Sequence, residues 1–170
     1  MFRIVTDTSA NLPTGYLHAE GITVIPYTFQ SGKGEQSCMD LTTFDAKEFY
    51  AQMRSGVKVT TSQIPPQRYR DTFLPLLLAG KDILFVGMSS GISGTYQAAM
   101  NAKEELAEEF PDRYVHIVDS RGCGFGSGML AMRASELSHQ GLSAKEAGVI
   151  LDEEVPHMCQ YFTVDDLNFL

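Results

Sequence analysis

The chain has 170 residues, with 13 Lys and Arg against 21 Asp and Glu, and a formal net charge of −8. That acidic balance, with no basic cluster, argues against nucleic acid or an anionic membrane as the main partner. A composition of 44% hydrophobic and 20% charged residues fits one globular domain with a real core and excludes a disordered chain.

Phe2 to Thr6 reads as a β-strand that the chain enters at once, without a leader pattern. It ends in the polar turn Asp7-Thr8-Ser9. Pro13 opens a helix through about Ala19, and Gly21 ends it. Ile22 to Phe29 is a second β-rich run, with Pro26 at its edge or end. The polar, Gly-containing stretch Gln30 to Ser37 reads as a surface loop, and Thr43 to Met53 as a helix stopped by Gly56. Lys58 to Pro66 is extended and rich in hydroxyls; Pro66 then starts a helix through about Leu78.

Asp82 to Val86 is a buried strand, followed by the turn Met88 to Thr95 and a helix from Tyr96 to Phe110. Tyr114 to Val118 is another buried strand, ending in Asp119-Ser120. The glycine-rich stretch Gly122 to Gly128 leads into an apolar helix through about Leu137, with Met129 and Met132 expected in the core, though their adaptable shape also suits a lipid-lined cavity. Ser143 and Glu146 have capping-box spacing for a helix towards Glu154, with Pro156 at its end. Cys159 to Val164 reads as a last strand and Asp165-Asp166-Leu167 as the start of a further helix. Strands alternating with helices predict an α/β fold: a largely parallel sheet with helices on both faces.

Three polar turns follow strands: Asp7 with Ser9, the Ser89 to Thr95 turn, and Asp119 with Ser120. Ligands of parallel sheets gather beyond the carboxyl ends of strands, so these turns are expected to share a rim. Gly91 and Gly94 allow close backbone approach, and Ser93 or Thr95 stands where a helix N-terminus favours an anion. Thr61 and Ser62 join from the extended stretch. Taken singly, the Asp7 and Ser93 turns are better explained by turn formation and capping, and Thr60 to Ser62 equally well as a linker.

Two other readings use the same turn. Gly91-Ile92-Ser93-Gly94-Thr95 differs from a G-x-S-x-G nucleophile elbow only at its last position. With Asp119 and His139 or His157 it keeps the order of a serine hydrolase acting on small esters, although both histidines stand at helix ends. Alternatively, the turn seats a phosphate or sugar phosphate. No register of Gly122 to Gly128 gives a nucleotide loop, so close helix packing is its expected role. His18, His116, Cys38 and Cys123 have no metal-ligand spacing, and His116 within a strand is expected to be structural. The three scattered cysteines, with Cys159, suggest a reducing cytoplasm rather than a disulfide framework. The longest uncharged run, Ile83 to Ala102, is broken by Gly, Ser, Thr and Gln and predicts no membrane span.

Ile4-Val5-Thr6-Asp7-Thr8-Ser9-Ala10-Asn11-Leu12-Pro13, Glu48-Phe49-Tyr50, Thr61-Ser62-Gln63, Ser89-Ser90-Gly91-Ile92-Ser93-Gly94-Thr95-Tyr96-Gln97 and Asp119-Ser120 occur in this order. Together they resemble the DegV family of bacterial fatty-acid-binding proteins over nearly the whole chain. The resemblance implies a non-enzymatic binder of one long-chain fatty acid, with no cofactor. Some members present the acid to a fatty-acid kinase. It further implies that Thr61, Ser62, Ser93, Gly94 and Thr95 hold the carboxylate, with Asp7, Ser9, Asp119 and Ser120 at the rim.

Two features depart from the family pattern. Ile64-Pro65-Pro66 stands where many relatives carry Pro-Ser after the glutamine. The family also has a second, C-terminal domain, entered just after the region matching Asp165 to Leu170. Residues 1–170 are thus expected to be the N-terminal domain alone, with an apolar face that favours self-association.

Overall fold

A computed structural model describes residues 1–38, 44–161 and 163–164. Its strands are β1 (Arg3–Asp7), β2 (Thr23–Ile25), β3 (Thr28–Ser31), β4 (Gly34–Ser37), β5 (Thr60–Ser62), β6 (Ile83–Gly87) and β7 (Val115–Asp119). Its helices are α1 (Thr14–Glu20), α2 (Ala46–Arg54), α3 (Pro66–Leu78), α4 (Thr95–Glu109), α5 (Phe125–His139) and α6 (Ala144–Glu154). Single 3-10 turns follow β1 at Thr8–Ala10 and α6 at Val155–His157.

The main sheet is parallel throughout, in the order β2-β1-β6-β7. Every residue of β6 is buried, because helices cover both faces of a central parallel strand. Val5, Phe85 and Ile117 face Tyr69, Phe73, Ala99, Ala102 and Leu106 of α3 and α4. Ile4, Leu84, Val86 and Val118 face Leu130, Ala134, Leu137, Ala147 and Leu151 of α5 and α6. The expected three-layer α/β architecture is therefore present, with helix boundaries within a few residues of the expected ones. Among the described residues, no helix is long and apolar enough to cross a membrane.

Four local expectations are corrected. Gln30 to Ser37 is not a plain loop: β3 and β4 pair antiparallel, and β5 pairs with the other edge of β3. The second β-rich run is divided at Pro26 and Tyr27 between the two sheets. Met129 and Met132 are exposed, at 58% and 39%, because α5 packs through its small residues instead. The described residues of Cys159 to Val164 form no strand, while the expected helix at Asp165 and the helix start at Thr43 lie outside the described residues.

Small residues set the closest approaches. A Cβ on Gly128 of α5 would overlap the carbonyl oxygen of Ala10, and one on Gly148 of α6 would overlap the His116 ring. His116 is structural, as expected, bonding Asp152 at 2.9 Å and Tyr114 at 3.1 Å. Ser143 and Glu146 form the expected reciprocal capping box.

Gly128→Ala should lower the unfolding free energy by about 1–3 kcal/mol, because backbone has no rotamer with which to retreat. Gly15→Ala, where a Cβ meets nothing within 4 Å, should be neutral or slightly stabilising in the same denaturant titration. Ser143→Ala should cost about 1 kcal/mol through the lost cap.

Candidate functional site

The chain connects β1 to β2 on one side and returns to β6 on the other, so the strand order reverses between β1 and β6. A crevice opens beyond the carboxyl ends of strands at such a reversal. Asp7, the last residue of β1, closes its floor. One carboxyl oxygen accepts the Met88 N–H from the turn after β6, at 3.0 Å, and the other accepts the Ser9 N–H at 2.8 Å. The Ser9 hydroxyl also donates to it. Asp7 is only 1% exposed, and burial outweighs these three bonds, holding its carboxyl above the usual range.

Above this floor lies a cavity of about 1010 Å³, partly open to solvent and mostly apolar. Leu12, Leu17, Val24, Phe44, Tyr50 and Ile92 supply apolar wall, while Asp7, Ser9, Thr61, Ser62 and Ser93 bring polar groups into the same cavity. The structure thus gathers residues from β1, β5, α2 and the turn before α4, which are far apart in sequence. The small sheet delivers Thr61: it stands opposite Phe29 of β3, and the Phe29 ring packs edge-on against Phe49 at 5.5 Å.

Ser93 does not sit at the cap position of α4, which Gly94 takes without a side-chain bond. Its hydroxyl lies 2.6 Å from that of Thr95 and accepts the Thr95 N–H at 3.3 Å. Thr95 is fully buried and bonds the Ser93 hydroxyl, while Gly94 is exposed and does not line the cavity. Gly94 is small for a local reason, since a Cβ there would stand 2.8 Å from the Gln63 amide. Neither the Ser93 hydroxyl nor Asp119 meets a histidine. His139, at the far end of α5, pairs with Glu20 at 3.3 Å, and His157 lies exposed in the last 3-10 turn. The nucleophile, acid and base of the hydrolase reading are not brought together.

Asp119 and Ser120, expected at the rim, are not among the residues that line the cavity. Asp119 is occupied by the Ser90 N–H and hydroxyl, at 3.0 and 2.6 Å, and by the Arg121 N–H at 3.1 Å. Ser120 is fully buried and bonds Ser127 at 2.9 Å and the Gly122 carbonyl at 3.1 Å. They brace the turn after β6 against the turn after β7. The glycine run serves packing, as expected: the Gln160 side chain lies where Cβ atoms of Gly122 and Gly126 would be.

Sequence reasoning missed Tyr27. It lines the cavity at 9% exposure, its N–H is accepted by the Thr8 hydroxyl at 3.1 Å, and its own hydroxyl donates weakly to Met88 Sδ at 3.7 Å. Burial, and then the charge of Asp7, push its phenol up to about 12, while the Thr95 and Ser93 hydroxyls beside it act in the opposite direction. The one signal was its place just after Pro26, at the point where the chain changes sheets. Burial also raises the Cys38 thiol in the cavity wall. Among the described residues, no cluster of His, Cys, Asp and Glu could hold a metal.

A family model described as uncharacterised proteins of the DegV family matches residues 1–170. The DegV domain-containing protein YteA of Lactococcus lactis is 32% identical over 169 residues, covering 99% of this chain and 58% of that protein. A DegV family protein from Thermus thermophilus, solved for its fatty-acid binding, superposes with a TM-score of 0.79 at 28% identity over 91% of this chain and 53% of its own. The Fatty Acid Kinase B3 protein of Streptococcus pneumoniae, loaded with linoleic acid, shares the fold, with a TM-score of 0.75 at 22% identity over 92% of this chain and 54% of its own. The chain therefore spans little more than half the length of these relatives. With the matched motifs, the sheet order and the cavity at its reversal in agreement, the chain belongs to the DegV family.

Proposed function

We propose that these residues form the head-group end of a long-chain fatty-acid site, which binds its ligand and performs no chemistry on it. One observation carries the reading: a large, mostly apolar cavity whose polar groups include Thr61, Ser62 and Ser93. Ligand pockets run to roughly 300–1,000 Å³, so this one has room for a long chain. Burying an acyl chain contributes about 0.8 kcal/mol per CH₂, while hydroxyl bonds of about 1 kcal/mol each fix which end goes in. Thr61 and Ser93 donate to the carboxyl group, with Ser62 beside Thr61 and with Gly94 and Thr95 holding Ser93 in place.

The Thermus relative's fatty-acid binding supports the ligand class, and a fatty-acid kinase is the partner that this reading implies. In this reading the protein works in the cytoplasm and the remaining walls of the enclosure belong to a second domain of the relatives' length. Ser93 acts as hydrogen-bond partner, since its hydroxyl is engaged with Thr95 and no base adjoins it.

Thr61→Ala and Ser93→Ala should each weaken fatty-acid binding about tenfold, measured by calorimetry on a protein of the relatives' full length. Unchanged affinity in both would defeat the head-group assignment. A fluorophosphonate probe should leave Ser93 unlabelled; labelling lost in Ser93→Ala would favour the hydrolase instead.

The raised Asp7 carboxyl also sets a sign for stability. The folded state binds that proton more tightly than the unfolded chain, whose carboxyl titrates at about 3.9. Stability from this group is therefore present at low pH and is lost as pH rises towards the folded value. The stability of the wild type minus that of Asp7→Asn should fall as pH rises above the unfolded value of about 3.9 in denaturant titrations. A rise over that range would mean the fold prefers the ionised form.

A further inference from the structure

Among the described residues, every side chain lining the cavity is neutral except Asp7. The residues outside the description, 39–43, 162 and 165–170, contain no Lys, Arg or His in their sequence. Several of the chain's cations are paired elsewhere: Lys33 with Glu48, Arg70 with Glu109, Arg113 with Asp82, and Arg133 with Glu136 and Glu154.

Among the described residues, the titratable groups around Asp7 come from five places. Tyr27 faces it from the connection between β2 and β3, Cys38 stands after β4, and Tyr50 projects from α2. Tyr69 of α3 lies buried within reach of the Asp7 charge, its hydroxyl unpartnered, and Cys123 follows β7 near Tyr27. Phenols and thiols are neutral or anionic and never cationic. A ligand carboxylate in this cavity would therefore join a buried carboxyl group with no countercharge. Two carboxyl groups in one poorly solvated site hold a single proton between them.

We propose that these 170 residues bind a long-chain acid together with one proton from solvent, shared between the ligand carboxyl and Asp7. The proposal rests on the fatty-acid reading and names the charge state of its ligand. Hydroxyls suit that role: Ser93 and Thr61 can donate to a carbonyl oxygen and accept from an acid O–H, whereas an ammonium can only donate. The site accordingly favours a head group that is uncharged when bound, and a fatty alcohol of equal length is an acceptable ligand.

The test uses this chain with decanoic acid and 1-decanol, both soluble enough to be studied as monomers. Calorimetry between pH 6.5 and 8.5 should show decanoate affinity falling about tenfold per pH unit, with 1-decanol unaffected. Repeating the titration in buffers of different ionisation enthalpy should register close to one proton taken up per acid bound. In Asp7→Asn the slope for decanoate should flatten, because the second carboxyl group is gone. Flat decanoate affinity without proton uptake in the wild type would overturn the shared proton, as would a slope unchanged in Asp7→Asn. Failure of both ligands to bind this chain at any pH would overturn the proposal that these 170 residues hold the acid, whereas the fatty-acid reading itself stands or falls with the Thr61→Ala and Ser93→Ala titrations at the relatives' full length.

Discussion

The whole site depends on one tie, the Met88 N–H donated to the Asp7 carboxyl across the point where the strand order reverses. Parallel strands on either side of such a reversal diverge above the sheet, leaving backbone groups that must find partners. Asp7 satisfies two segments at once, holding the 3-10 turn after β1 through Ser9 and the turn after β6 through Met88. With those turns fixed, Tyr27 can seat its backbone on Thr8, and its ring can stand beside Ser93 and Thr95. A buried acid is an expensive floor for a site that receives acids. That expense is what links the stability of the fold to the charge state of the ligand.

A second layer of support lies farther out. Asp119 and Ser120 lock the turns after β6 and β7 together, and Gly122 accepts the Ser89 N–H at 2.9 Å. These groups never face the cavity, yet they define where the Ser89 to Ser93 backbone runs. On the other side, the three-stranded sheet and the aromatic contacts of Phe29, Phe44, Phe49 and Tyr50 carry Thr61 to the cavity. Helix α2 buries none of its residues and supports that side mainly through aromatic edges and the exposed Lys33–Glu48 pair. One half of the site is therefore built on the main sheet, and the other on the small one.

Much of the fold was legible in the sequence because its strands are short apolar runs closed by polar turns. Ile83 to Val86 can only be buried, and Ser143 with Glu146 announces a helix start by itself. The hairpin of β3 and β4 was not legible, since its second strand is exposed along its full length and has no alternation to detect. The exposure of Met129 and Met132 was hidden for the opposite reason: side-chain type suggested a core face, but Gly126, Gly128 and Ala131 took it. Of the residues that line the cavity, Asp7, Ser9, Thr61, Ser62 and Ser93 could be singled out from turns and motifs. Asp119 and Ser120 look identical in sequence to ligand-facing groups, and only their bonds to Ser90 and Ser127 reveal braces. Tyr27 escaped because its role arises from the change of sheets, which local sequence does not encode.

The central claim is that Thr61 and Ser93 meet the head group while Leu12, Leu17 and Val24 line the acyl path. The most direct measurement is a structure of the protein with a long-chain fatty acid bound. A carboxyl group should lie within hydrogen-bonding distance of both hydroxyls and above Asp7, with the chain running along those apolar residues. A head group lying outside this cavity, or an acyl chain with its methyl end at Ser93, would contradict the claim.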